Sequence, residues 1–180
     1  MDHQYIMKLL PSFLFPRGER VVEEFMSTGF SMGGKAPPAY LQRFLTLGHV
    51  CWRLLREDAR IRIAVPICSM PSEALGWHFV RRVEEEAETE TYLPPDIREW
   101  LSAPSARGTY RGKKILSLHG GLDALNPPNS GKFKLDQIMA EAENAEDVEM
   151  WVHEDRGHVV SPEMVRRAGE WFWRWGFSEA

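Results

Sequence analysis

Long apolar runs are missing from this sequence, and no stretch approaches the roughly 20 apolar residues that a membrane-spanning helix needs. The first five residues carry neither a cationic start nor a long apolar core, so we do not expect a secretory signal. Only two cysteines occur, Cys51 and Cys68, which is too few for a disulfide framework, and their spacing matches no metal-binding motif. These absences predict a cytoplasmic protein with reduced cysteines, no membrane span and no metal.

A strong charge of either sign is also lacking. The sequence has 22 Lys and Arg against 26 Asp and Glu, a net charge of −4, and it contains no long basic run. Nothing in this pattern indicates a nucleic-acid partner. The hydrophobic fraction of 43% is ordinary for a globular domain, and 180 residues suit one domain with one core. The oligomeric state cannot be inferred from the sequence.

Apolar patterns of strand type and of helix type alternate along the chain, which predicts an α/β fold with a mostly parallel sheet flanked by helices. Strands are predicted at residues 23–28, Ile61–Cys68, Lys113–Leu118 and Val148–His153. Helices are predicted at His3–Leu14, His49–Arg56, Lys132–Asn144 and Met164–Trp175, with a further acidic helical region within Pro71–Ala106. Ser161 and Pro162 form a good start for the last helix, and Gly176 is predicted to end it.

A candidate nucleophile follows the first predicted strand. Residues Gly29 to Gly33 match G-x-S-x-G, the strand-to-helix turn that holds a serine out of a sheet, here Ser31. The backbone amide of Met32 is then predicted to lie at a helix N-terminus, where it can donate a hydrogen bond to an oxyanion. A glycine-rich pentapeptide of this kind also arises by chance, so the motif alone does not decide the function.

Two more candidate catalytic residues follow later strands. Asp123 comes after the Gly120-Gly121 pair, and His158 comes after Gly157 in the loop before the last helix. Ser31, Asp123 and His158 have the order nucleophile, acid, base, and such a set suffices for attack on an acyl carbon. Competing candidates are other histidines and acids close to these positions in the sequence. They are His119, His153, Glu154, Glu146, Asp147 and Asp155.

These motifs resemble the α/β-hydrolase superfamily, and within it the serine esterases and peptidase-like hydrolases common in fungi. The resemblance extends over nearly the whole chain and rests on the segments Leu10–Pro16, Trp52–Asp58, Ile63–Ile67 and Gly157–Met164. It implies a hydrolase of esters or related acyl bonds that acts on a small-molecule acyl substrate and needs no cofactor. It also implies that Ser31 is the nucleophile, Asp123 the acid and His158 the base.

The chain departs from the family pattern in two places. The family has several strands before the serine, one of which leads to the loop with the second oxyanion donor, yet only 30 residues precede Ser31 here. Residues 1–180 are therefore expected to form a single, incomplete domain corresponding to the C-terminal part of the sheet. Residues 35–48, with Pro37-Pro38, separate Gly34 from a family-like His49-Val50 and are interpreted as an insertion, such as a retained intron, or as a genuine loop. The alternative function is a catalytically inactive hydrolase-like fragment.

Overall fold

One parallel sheet organises the computed structural model, which describes residues 3–22, 25–31, 48–75, 95–96, 99 and 103–177. Its strands are β1 (Phe25–Phe30), β2 (Ile61–Ile67), β3 (Lys114–Gly120) and β4 (Val148–His153). They lie side by side in chain order, and each neighbouring pair is parallel. The helices are α1 (His3–Leu14), α2 (Gly48–Glu57), α3 (Lys132–Glu141) and α4 (Pro162–Phe172). The predicted α/β class is confirmed, while most of the acidic region 71–106 lies outside the described residues.

The two central strands are buried on both faces, as their continuous apolar sequences predict. Every residue of β2 except Arg62 is buried, and β3 is buried from Ile115 onward. On one face, Trp52 and Leu55 of α2 pack in a core cluster with Ile138 of α3. On the other face, residues of α4 such as Met164 and Trp171 pack with residues of β2 and β3. Helices thus cover both faces, and the carboxyl ends of the strands share one edge of the sheet.

The last helix begins as predicted and ends differently. The Ser161 hydroxyl accepts a hydrogen bond from the Met164 amide at 3.2 Å, and Pro162 occupies the first turn. Instead of stopping at Gly176, the chain continues as a π-helical turn over Trp173–Phe177. Gly176 packs against the side chain of Met26 on β1, where an added Cβ would lie 2.8 Å from the methionine sulfur.

Strand β1 forms one edge of the sheet, and within the described part of the chain no strand pairs with its outer side. Helix α1 contributes Met7 to the core cluster. Large apolar side chains of α1 are nevertheless exposed, namely those of Tyr5, Ile6, Leu9, Leu10, Phe13 and Leu14. None of the helices in the described ranges has both the length and the apolar character required to cross a membrane.

Candidate active site

The candidate residues meet at the carboxyl edge of the sheet. Ser31 directly follows β1, Asp123 lies in the loop after β3, and His158 lies in the loop after β4. Parallel strands bring the loops that follow them to the same edge, which is where ligand sites of α/β proteins occur. The structure therefore brings together three residues that are up to 127 positions apart in the sequence.

Ser31 adopts an unusual backbone conformation, with φ of +52° in the left-handed region. Its amide donates to the carbonyl oxygen of Ile67 at 2.9 Å, and its own carbonyl accepts from the amide of Gly48 at 2.6 Å. Helix α2 begins at Gly48, so the serine joins the end of a strand to the start of a helix. Met32, the predicted oxyanion donor, lies outside the described residues.

A hydrogen-bonded chain connects the three side chains. His158 Nε2 is 2.5 Å from the Ser31 hydroxyl oxygen, and His158 Nδ1 is 2.7 Å from Asp123 Oδ2. An ionised carboxylate can only accept, so Nδ1 must carry the imidazole proton, which leaves Nε2 to accept from the serine hydroxyl. This tautomer is the one that a general base next to a serine requires.

The position of the Asp123 carboxylate is fixed by its own loop. Its second oxygen, Oδ1, accepts hydrogen bonds from the backbone amides of Leu125 at 2.9 Å and Asn126 at 2.8 Å. The side chain has no exposed surface, whereas that of His158 is 16% exposed. One carboxylate oxygen is therefore held by the backbone, and the other remains for the imidazole.

The Gly120-Gly121 pair allows close contact between the loop that carries Asp123 (the acid loop) and the loop that carries His158 (the base loop). The Gly121 amide donates to the His153 carbonyl, and the Leu122 amide donates to the Arg156 carbonyl. A Cβ at Gly120 would lie 2.2 Å from the carbonyl oxygen of Gly157, which is closer than any non-bonded contact allows. Side chains are thus excluded at this position by the neighbouring backbone rather than by a turn conformation.

The competing histidines have other partners. Burial lowers the pKa of His119 to about 4, and its Nε2 is 2.8 Å from the Ser117 hydroxyl oxygen. His153 Nδ1 is 2.9 Å from the hydroxyl oxygen of Ser161, the cap of α4. His119 therefore belongs to the interior of the sheet and His153 to the start of α4.

The competing acids are also engaged elsewhere or exposed. Asp147 is buried and accepts a hydrogen bond from Lys114 Nζ at 2.6 Å, at the opposite end of the sheet. Glu146 pairs with Arg174. Glu154 and Asp155 are exposed. Asp123 is the carboxylate that contacts His158.

Cys68 is a neighbour of the site that sequence reasoning missed. It follows β2 directly, has φ of +46°, and is fully buried. Burial, with a contribution from the Asp123 carboxylate, raises the pKa of its thiol to about 12. Its sulfur and one ligating atom each of Asp123 and His158 all lie within 4.8 Å of one another. Since the three residues come from separate loops, no sequence spacing could have revealed the cluster.

Comparisons with known proteins find solved structures of similar fold but no protein of closely similar sequence. No family model matches the sequence, and no curated protein matches it significantly. Three similar solved structures are TT1662 of Thermus thermophilus, esterase Pf2001 of Pyrococcus furiosus and an acylaminoacyl peptidase of Pyrococcus horikoshii. Their identities to this chain are 20%, 20% and 14%, and their TM-scores are 0.60, 0.53 and 0.57.

These matches extend over 86%, 94% and 97% of this chain, but over 55%, 60% and 27% of the three similar chains. The chain therefore spans little more than half of the length of the first two. The narrower resemblance to fungal members stays a prediction. At these identities the likeness concerns the fold, and on that ground the chain has an α/β-hydrolase-like fold.

Proposed function

We propose that this chain carries a serine hydrolase site for an ester or related acyl bond, with Ser31 as nucleophile, His158 as base and Asp123 as acid. The observation that supports it best is the continuous hydrogen-bonded chain from the Ser31 hydroxyl through the imidazole to the buried carboxylate. The names of two similar structures, an esterase and an acylaminoacyl peptidase, agree with this reaction class.

The reaction would run in two halves. His158 Nε2 takes the hydroxyl proton while the Ser31 oxygen attacks the acyl carbon, and the resulting imidazolium returns that proton to the leaving group. Water then attacks the acyl-enzyme with the same histidine as base, which frees the acid product and restores the serine. Asp123 stabilises the imidazolium and keeps its Nδ1 proton in place. In this scheme the Met32 amide would donate to the oxyanion, as the motif predicts.

An apolar rim favours a substrate with an apolar acyl or leaving group. Leu122 and Leu125 flank Asp123, Val159 and Val160 follow His158, and all four side chains are exposed. We propose a small molecule with an apolar group next to its acyl bond, and no cofactor enters the scheme.

Residues 35–48 are proposed to interrupt the turn between nucleophile and helix. The Gly48 amide donates to the Ser31 carbonyl, a bond that a residue three positions after Ser31 would normally make in such a turn. Gly34 is three positions after Ser31, and deletion of residues 35–48 would put it directly before His49, in the place that Gly48 now occupies. We therefore propose a single domain, 1–180, in which residues 35–48 are an inserted segment ahead of His49.

Labelling with a fluorophosphonate probe tests the nucleophile, because such probes phosphonylate an activated serine much faster than an ordinary hydroxyl. We expect mass spectrometry to locate the adduct on Ser31, and we expect hydrolysis of p-nitrophenyl butyrate to disappear in Ser31→Ala. Ser130→Ala, a loop serine outside the site, serves as the matched control and should keep both properties.

The same experiment should be run on the chain without residues 35–48. If the insertion proposal holds, the deletion variant folds and labels at least as fast as the full chain. Labelling that persists in Ser31→Ala would refute the assignment of the nucleophile. No labelling in either chain would favour the inactive-fragment alternative.

A further inference from the structure

The Cys68 thiol has no part in the proposed reaction, yet it lies against the acid and the base. Its sulfur is 3.8 Å from the Val159 carbonyl oxygen, next in sequence to His158. The amide side chain of Asn126 donates to the Cys68 carbonyl at 2.9 Å, and the Asn126 backbone amide binds Asp123. The loops after β2, β3 and β4 therefore meet where the Cys68 sulfur, an Asp123 oxygen and a His158 nitrogen lie close together.

We propose that Cys68, Asp123 and His158 bind a thiophilic divalent cation, such as Zn²⁺ or Cd²⁺, which switches hydrolysis off. Thiolate, imidazole and carboxylate are all established ligands of Zn²⁺. A soft sulfur ligand selects against Mg²⁺ and Ca²⁺, which prefer oxygen. The binding part of this proposal stands alone, whereas the inhibitory part rests on the proposed serine hydrolase function.

The distances between the ligand atoms of Cys68, Asp123 and His158 would suit a tetrahedral cation after small movements of these side chains. Bond lengths of about 2.0–2.3 Å to nitrogen, oxygen and sulfur place tetrahedral ligand atoms roughly 3.3–3.8 Å apart. The cluster lies within 4.8 Å, and the Asp123 Oδ2 to His158 Nδ1 separation of 2.7 Å would have to open. Asp123 Oδ1 is already occupied by two backbone amides, so Oδ2 is the oxygen left for the cation.

Binding would change the imidazole in a way that stops its action as a base. The cation would replace the proton on Nδ1, and that proton would move through water to Nε2. The Cys68 thiol would release its proton to solvent on becoming a thiolate, so one proton leaves for each cation bound. With a proton on Nε2, His158 could donate to the Ser31 oxygen but could not accept the hydroxyl proton.

Cobalt titration tests the binding part directly, because a Co²⁺–thiolate bond gives a charge-transfer absorption in the near ultraviolet that oxygen and nitrogen ligands do not give. We expect this band on adding Co²⁺ to the reduced full chain. It should persist in Cys51→Ser and vanish in Cys68→Ser. Cys51 is the matched control, since it is also free and buried but lies in α2 with its sulfur directed to the Ser27 carbonyl.

Asp123→Asn supplies a second, independent variant and should weaken Co²⁺ binding at least tenfold. A band that survives in Cys68→Ser, or that is unchanged in Asp123→Asn, would overturn the site.

Zinc inhibition of p-nitrophenyl butyrate hydrolysis tests the inhibitory part. We expect Zn²⁺ to inhibit the full chain and Cys51→Ser, with recovery on adding EDTA, and Cys68→Ser to need at least tenfold more Zn²⁺ for half inhibition. A normal cobalt band with hydrolysis that Zn²⁺ does not affect would overturn the switch. A normal band in a chain that hydrolyses nothing and labels nowhere would refute the proposed hydrolase function and support the metal site.

Discussion

At the residue scale, backbone strain is concentrated at the candidate site. Ser31 and Cys68 are the non-glycine residues with positive φ among the residues that the structure describes. Such conformations cost of order 1–3 kcal/mol each and persist only where their surroundings hold them. Here the Ser31 amide binds the Ile67 carbonyl, and the Cys68 amide binds the Leu118 carbonyl. Each bond ties a strained residue to the next strand, so the sheet itself fixes both side chains.

Replacing Asp123 tests the role of the acid. In Asp123→Asn the amide can donate to Nδ1, which would place the imidazole proton on Nε2 and remove the base. For a working site of this kind we expect kcat for p-nitrophenyl butyrate to fall by ~10⁴. Asp155→Asn is the control, since Asp155 is exposed in the same region, and its kcat should change less than about threefold. Equal losses in both variants would contradict the assignment.

The sequence could point to Ser31, Asp123 and His158 but not to Cys68. The first three follow predicted strands and fall in a recognisable order of residue types, so topology alone places them at one edge. Cys68 also follows a strand, but its importance depends on the distance of its sulfur from two other loops. That distance is set by packing and not by a local pattern.

At the element scale, close backbone contact between the acid loop and the base loop is what fixes their relative position. We predict that Gly120→Ala destabilises the protein by at least about 2 kcal/mol, because the new Cβ would overlap the Gly157 carbonyl. It should also reduce labelling of Ser31. Gly169→Ala is the control in α4, where a Cβ meets nothing within 4 Å, and it should stabilise by about 0.5–1 kcal/mol. Urea unfolding measures both, and an unchanged midpoint for Gly120→Ala would contradict the expected overlap.

Short sequence patterns correctly predicted the features that depend on neighbouring residues alone. Strand β4 has the predicted bounds, and α4 starts at the predicted cap because Ser161 satisfies the Met164 amide. The end of α4 was predicted wrongly, since the chain passes Gly176 in a π-helical turn. This turn packs beside Met26 on a strand about 150 residues away in the sequence, a contact that the sequence pattern does not contain.

At the scale of the whole molecule, exposed apolar side chains lie beside the open edge of the sheet and along helix α1. Met26 of β1 is 39% exposed, and Trp173 and Phe177 of the adjacent turn are 69% and 60% exposed. Helix α1 adds Leu9 at 66% and Phe13 at 82%. Contiguous apolar patches and unpaired strand edges both favour association between proteins.

We therefore predict that the purified chain associates with itself in a concentration-dependent way. A Leu9→Lys/Phe13→Lys double variant should reduce association, because two charges on the exposed face of α1 would have to be desolvated or brought close to their counterparts. Sedimentation velocity over a range of concentrations measures the effect. Val165→Lys is the control, since Val165 is 59% exposed on α4, away from α1. If Val165→Lys reduced association as much as the double variant, general charge rather than the face of α1 would be the cause. If the full chain stayed monomeric at every concentration, the open edge and α1 together would be insufficient to drive association.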